Sequence, residues 1–426
     1  MTHRCARRRS GDYGVWQYRP VFAVSERRRT SATVRLAPGV RVRDSIAYVP
    51  RRDHFFALDP AHLHTLGRLR AGRAGGAAET RLLAELGICE TDPDTPRRAF
   101  FGRSVVGRID HLPVITRPLV VNFFATAHCP LRCLYCHADD LMSGYREQED
   151  DAGFARVLRV AAATPAMVGV VTGGEPLARA ERAERLIARL AETGKAVVLD
   201  TSGVGDFSSL VPTLRRHSVH VRVSLDSADP AGNDALRPAD RRHLPPGSSS
   251  AVYARDAIRR AVRAEVPCSV QTVVTARNGD VDTLLALRDV LVGLGVTTWV
   301  LHVVVPVGKA ADPHRAGLLA PAGVQDVLEE LVRRTAADGV AIDIRLTGTH
   351  RAPNSTLLIS SRGELAVENV AEGGKSVFAL PRIGVRRAVL KHFRTQVDLA
   401  GHADRYLNGS LAPWAAAATG ATLPRA

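Results

Sequence analysis

Cysteine is sparse in this chain of 426 residues: there are six, and three of them (Cys5, Cys89 and Cys268) stand alone. That sparseness, with no apolar segment behind the N-terminal arginines to make a signal peptide, excludes a disulfide scaffold. No apolar run reaches the length that spans a bilayer, so no membrane partner is expected. Aromatic residues make up only 5% of the chain, and no basic segment is interleaved with them. This argues against a stacking platform for single-stranded nucleic acid. Acidic residues are also in deficit, 43 against 58 lysines and arginines, for a formal charge of +15. Most of that excess lies ahead of Cys129, in an Arg-, Ala- and Val-rich background that raises charge without implying a nucleic-acid role. A soluble, cytoplasmic protein of two or three domains is expected.

The other three cysteines are gathered: Cys129-Pro-Leu-Arg-Cys133-Leu-Tyr-Cys136. They follow the apolar run Leu119–Phe124, which reads as a buried strand. Thiolates at this spacing in a reducing compartment suit a metal. A cubane [4Fe–4S] cluster normally takes four cysteines, so three would leave one iron open to a non-protein ligand. The alternative is a structural zinc site, completed by His128 or His137.

Beyond the triad, strand and helix patterns alternate. Apolar strands are expected at Val168–Val171, Ala196–Leu199, Val219–Leu225, Ser269–Val274 and Thr298–Val305, with helix-length crossovers between them. Continuous apolar strands joined by such crossovers form a parallel sheet. With Leu119–Phe124 there are six, too few for a closed eight-unit barrel. The segments Gly173-Gly174-Glu175-Pro176, Thr201-Ser202 and Ser224-Leu225-Asp226 all follow strand ends, the face where barrel enzymes build their sites. The two glycines permit a positive φ and a close backbone approach, and Glu175 can accept from a cation. Taken alone, this segment would also make an ordinary turn.

The triad and its setting resemble the radical SAM enzymes. The resemblance implies an α/β fold, a partial (β/α)6 barrel over residues 115–310. It implies a [4Fe–4S] cluster on Cys129, Cys133 and Cys136, and S-adenosylmethionine (SAM) on the open iron. Tyr135 would then border the adenine, and Gly173, Gly174, Glu175 and Pro176 would meet the SAM ammonium. Ser224 and Arg237 would fix its carboxylate. Asn278 and Pro306-Val307-Gly308 fit weaker patterns of the same family. An external one-electron donor of the flavodoxin or ferredoxin kind is also implied. The 5′-deoxyadenosyl radical would then take hydrogen from a substrate C–H bond.

Residues 1–32 read as a disordered basic tail. Over residues 33–100, short strands at Thr33–Leu36, Val40–Arg43, Ile46–Val49 and His54–Leu58 precede helices near Ala61–Leu69 and Ala78–Leu86. This small winged-helix-like α+β module resembles the leader-binding domains of peptide-modifying enzymes. The resemblance implies a ribosomally made precursor peptide as partner, held through residues 33–95 by strand addition; a plain structural cap is the alternative. Residues 311–426 read as an α+β extension. Relatives carry cysteine-rich auxiliary clusters there, and this stretch has no cysteine. Cys268, at the start of a strand, reads as a small buried apolar residue. Residues 235–250 read as a loop that meets substrate. The remaining alternatives are a small metabolite or RNA as substrate, and a non-catalytic metal-binding protein.

Overall fold

The computed structural model describes residues 35–90, 105–106, 113–143, 151–319, 323–347 and 354–408. The basic tail expected over residues 1–32 lies outside them. Strands β1 (Arg41–Arg43), β2 (Ile46–Val49) and β3 (His54–Leu58) form an antiparallel meander, followed by helices α1 (Pro60–Arg70) and α2 (Ala77–Glu85). Asp59 starts α1 by accepting from the N–H of His62, the usual service of a capping carboxylate. A fourth strand, β4 (Val105–Val106), lies beyond the expected boundary at residue 100 and pairs in parallel with β3. The expected strand at Thr33–Leu36 starts outside the described residues; its end, Leu36, makes only an isolated bridge to Cys89.

All six expected parallel strands form: β5 (Val120–Thr126), β6 (Val168–Gly173), β7 (Ala196–Thr201), β8 (His220–Ser224), β9 (Cys268–Val274) and β10 (Thr298–Val303). Each is hydrogen-bonded in parallel to the next. The connections carry α3 (Asp139–Ser143), α4 (Asp151–Ala163), α5 (Ala180–Glu192), α6 (Phe207–Arg216), α7 (Pro230–Leu236), α8 (Ser250–Arg263) and α9 (Val281–Gly293). The strands and the inner faces of α4, α5, α6, α8 and α9 bury one continuous apolar core, while Leu141 of α3 and Leu236 of α7 join two smaller clusters; helices covering the strands are what a parallel sheet requires.

The sheet continues at both edges. Helix α10 (Val324–Ala337) leads to β11 (Asp343–Thr347), which pairs in parallel with β10 as a seventh unit. Beside β5, the strand β12 (Leu357–Ile359) pairs in parallel, then β13 (Leu365–Asn369) and β14 (Gly374–Phe378) follow antiparallel. Helices α11 (Val385–Gln396) and α12 (Leu399–Ala403) and a π-helical turn at Asp404–Asn408 end the described chain. The C-terminal segment therefore adds strands to the main sheet, giving ten in all. Among the described residues, no helix is long and apolar enough to cross a membrane.

Candidate metal and cofactor site

The site is built on the C-terminal ends of the parallel strands. β5 delivers the chain to the cysteine loop, whose three thiols are half-buried. Burial pushes all three thiols above their ordinary range, Cys136 to about 12, and Cys129 and Cys136 each feel the charge of Cys133. A metal bound here must displace those protons. The donor set, three thiols on one loop, fits an iron–sulfur cluster. Among the described residues, no three His, Cys, Asp or Glu side chains converge as they would about a single ion. A cubane does not require them to, because its thiolates bind different irons.

Three segments, distant in sequence, hold the loop in place. The first is Gly173-Gly174-Glu175: the N–H of Gly174 donates to Thr126 O at 2.8 Å and that of Glu175 to His128 O at 2.8 Å. A Cβ on Gly174 would lie 2.0 Å from His128 O, so only glycine fits. The close approach anticipated for a ligand is thus made by the cysteine loop itself. The second segment follows α7. Leu134 N donates to Leu236 O at 3.0 Å, Arg132 N to Pro238 O at 2.8 Å, and Asp240 N to Pro130 O at 2.8 Å. Arg132 also pairs with Asp240 at 2.6 Å. The first part of the loop expected at residues 235–250 is therefore pinned to the cysteines. The third is Gly308-Lys309, where Lys309 N donates to Cys136 O at 3.0 Å. Gly308 sits at φ +63°, and a Cβ there would meet Cys136 O at 2.4 Å.

Glu175 is 1% exposed and faces inward. Its Oε1 accepts from Thr201 Oγ1 at 2.6 Å and Leu177 N at 3.0 Å; its Oε2 accepts from Ser202 N at 2.7 Å and from the Ser202 hydroxyl. Burial raises its pKa, against which these donors work. Four donors fill a carboxylate's capacity, so the acceptors this segment can still offer a ligand are backbone carbonyls. Pro176 begins a 3-10 turn, Pro176–Arg179.

Tyr135 is buried, and its hydroxyl donates to Asp226 Oδ2. The same oxygen accepts from Arg237 Nε at 2.5 Å, and Asp226 Oδ1 accepts from Val273 N at 2.8 Å. The Arg237 guanidinium lies 5.4 Å from the centre of the Tyr135 ring, with Nη1 3.9 Å from Sγ of Cys133. Asn278 is buried and steadies this corner, donating to Asp226 O at 2.9 Å and Val273 O at 3.0 Å. Ser224, half-buried, ends β8 opposite Gln271.

Asp226 was not among the residues read from the sequence as site residues, although the Ser-Leu-Asp segment at a strand end was. Two further residues carry no mark in the sequence. Glu368 on β13 accepts from or donates to His137 Nε2 at 2.8 Å, according to the proton's place. Lys375, its cross-strand partner on β14, donates to His137 O and to Asp140 Oδ1, the latter at 2.7 Å. Cys268 begins β9, at the strand end opposite the cysteine loop, and burial pushes its thiol up to about 12.

Residues 124–291 match the family model described as the Radical SAM superfamily. The chain is similar to a PqqA peptide cyclase of Xanthomonas campestris pv. campestris strain B100, 30% identical over 171 residues, covering 40% of this chain and 43% of that protein. A PqqA peptide cyclase of Methylobacterium sp. strain 4-46 is 31% identical over 184 residues, covering 43% of this chain and 46% of that one. The chain thus spans about half the length of the curated relatives it matches. Among solved structures, native anSMEcpe with bound AdoMet and Kp18Cys peptide aligns with TM-score 0.51 and 13% identity, covering 71% of this chain and 95% of that one. The cysteine loop, the parallel strands that present it and the matched family model agree: the chain carries a radical SAM domain.

Proposed function

We propose that this protein is a radical SAM enzyme that modifies a peptide. The observation that carries the reading is the cysteine loop at the C-terminal ends of the strands, held by three separate segments, two of them within the matched residues. Cys129, Cys133 and Cys136 would hold the cluster. Tyr135, the carbonyls of Gly173–Pro176, Ser224 and Arg237 would line the SAM seat. Bound there, a [4Fe–4S] cluster and SAM would supply the radical chemistry needed to take hydrogen from an unactivated C–H bond. The chain's own residues hold and orient: Glu175 locks the Gly-Gly segment to β7, and Asp226 anchors Tyr135 and Arg237.

A peptide substrate is supported by the curated relatives named PqqA peptide cyclase and by the module of β1–β4 with α1 and α2. We assign precursor binding to residues 33–95 of this module. The electron would come from an external flavodoxin or ferredoxin, and the cytoplasm suits both. A second reading has one observation in its favour. The module is bonded into the main sheet through Asp53 and Arg222, so it also caps the barrel, and a small-molecule substrate would need no more than that.

The test is anaerobic reconstitution with iron and sulfide, then SAM and dithionite, with 5′-deoxyadenosine read by mass spectrometry. Production by the wild type and not by Cys133→Ala is expected. A short peptide encoded beside the gene should gain a mass change. Stoichiometric zinc without iron uptake would overturn the reading.

A further inference from the structure

Charge around the cysteine loop is arranged with a direction. Arg237 stands between Asp226 and Cys133, with Nε 2.5 Å from the carboxylate and Nη1 3.9 Å from the sulfur. Both partners are buried, Asp226 at 0% exposure and Arg237 at 7%. Asp226 has no freedom to swing away. It receives Val273 N from β9 and the Tyr135 hydroxyl, its own N–H donates to Asn233 Oδ1 at 2.8 Å, and its carbonyl accepts from Asn278. The cationic end of the pair therefore faces the sulfur, with the carboxylate behind it. Of the other cations about the loop, Lys309 also acts on Cys133, but it pairs with Asp139 at 3.3 Å and its side chain is more exposed, 19% against 9% for Arg237.

We infer that Arg237 and Asp226 form an oriented charge pair that sets the reduction potential of a cluster held through Cys133. The inference rests on the reading that Cys133 ligates such a cluster. Potentials of iron–sulfur centres depend on nearby charge, hydrogen bonds to sulfur and solvent exposure. A buried cation beside the sulfur favours the state carrying one more electron. The carboxylate opposes it, from farther away. Burial keeps both effects from being screened by water and salt. A latch with a merely structural role would instead loosen the loop in the same way whichever partner is removed.

The experiment uses the full chain, anaerobically reconstituted without SAM, with iron and sulfide counted and the midpoint potential measured by EPR-monitored potentiometry. Arg237→Gln removes the cation and leaves the carboxylate. Its ratio of reduced to oxidised cluster at a fixed potential should fall about tenfold, about 59 mV for a one-electron couple. Asp226→Asn should move the potential the other way, and Arg237→Lys should stay nearer wild type than Arg237→Gln. Should Arg237→Gln fail to fold, the double variant D226N/R237Q leaves no unpaired buried charge. It should lie below wild type, because the nearer charge dominates. Four-iron loading with single variants that shift in the same direction, or not at all, overturns the inference. A wild type that takes up no four-iron cluster overturns the cluster reading, and this inference with it.

Discussion

Asp53 and Arg222 meet in two hydrogen bonds, Nε to Oδ2 at 2.5 Å and Nη2 to Oδ1 at 2.8 Å, across 169 residues of chain. Asp53 belongs to the turn after β2 and Arg222 to the middle of β8. Around them, His220 Nδ1 contacts Pro50 O at 2.6 Å, and Arg345 of β11 donates to the carbonyls of Arg52 and Asp53 at 2.6 and 3.0 Å. The N-terminal module is therefore bolted to the parallel sheet. Removing Asp53 leaves Arg222 with Asp200, 3.5 Å away, as its carboxylate partner, so Asp53→Ala should cost about 3 kcal/mol, the low end for a broken buried pair. Urea unfolding of the full chain measures this; a loss within experimental error would mean that the contact contributes nothing to holding the module.

Gly174 should be intolerant of any side chain. Its missing Cβ is where His128 O lies, and backbone cannot retreat as a flexible side chain can. Gly174→Ala should displace the cysteine loop and lose most of the iron taken up on reconstitution. Gly293→Ala is the control: at the end of α9, no atom lies within 4 Å of the added carbon. Equal iron content in both variants would show that the loop does not need this approach.

Glu175→Gln replaces an acceptor-only group with one that carries two hydrogens. At least one of the donors from Thr201, Ser202 and Leu177 must then lose its partner. An unsatisfied buried group costs about 1–3 kcal/mol. Thermal unfolding should show the loss, and SAM binding by calorimetry should weaken with it as the Gly-Gly segment shifts. An unchanged melting temperature would refute the role given to this carboxylate.

The acid side of the stability profile should depend on His402. Its Nδ1 bonds Ser355 O at 2.8 Å while its Nε2 accepts from Leu119 N at 3.0 Å, which requires the neutral ring. Burial lowers its pKa from the ordinary 6.5 to about 4. The unfolded ring gains its proton below pH 6.5, whereas the folded ring waits until about 4. Stability is therefore complete above pH 6.5 and falls as the pH drops toward 4, by up to about 3 kcal/mol. His220 is lowered to about 4 and His302 to about 3, burial being the first cause in both, so they add to the same slope. His402→Gln should flatten the slope in denaturant midpoints read between pH 4 and 7; an unaltered slope would exclude the ring.

What could be read in advance was local. The three-then-two cysteine spacing, the glycines of the second motif, the apolar strands and the turn residues between them depend on a few adjacent residues and on hydrogen-bonding periods. β6 through β10 accordingly fall within a few residues of where the patterns put them. Residues that matter through contacts across the chain could not be read that way. The place of Asp226 beside Tyr135 and Arg237 depends on how β8, β9 and α7 come together. Gly308 matters because Cys136 O passes over it, and Glu368 because β13 lies close to His137.

The place of β11 as a further parallel strand is not legible in the pattern, because it looks like any C-terminal strand until β10 offers it a free edge. Likewise, β12 carries no mark that it will pair with β5. By itself, the sequence determined which residues could ligate a cluster and that a parallel sheet would present them, since both follow from side-chain chemistry and period. Only the tertiary structure decided which distant groups surround the cysteine loop and how the N-terminal module is fastened. Those contacts depend on strand order, register and buried charge pairing, none of which a local pattern encodes.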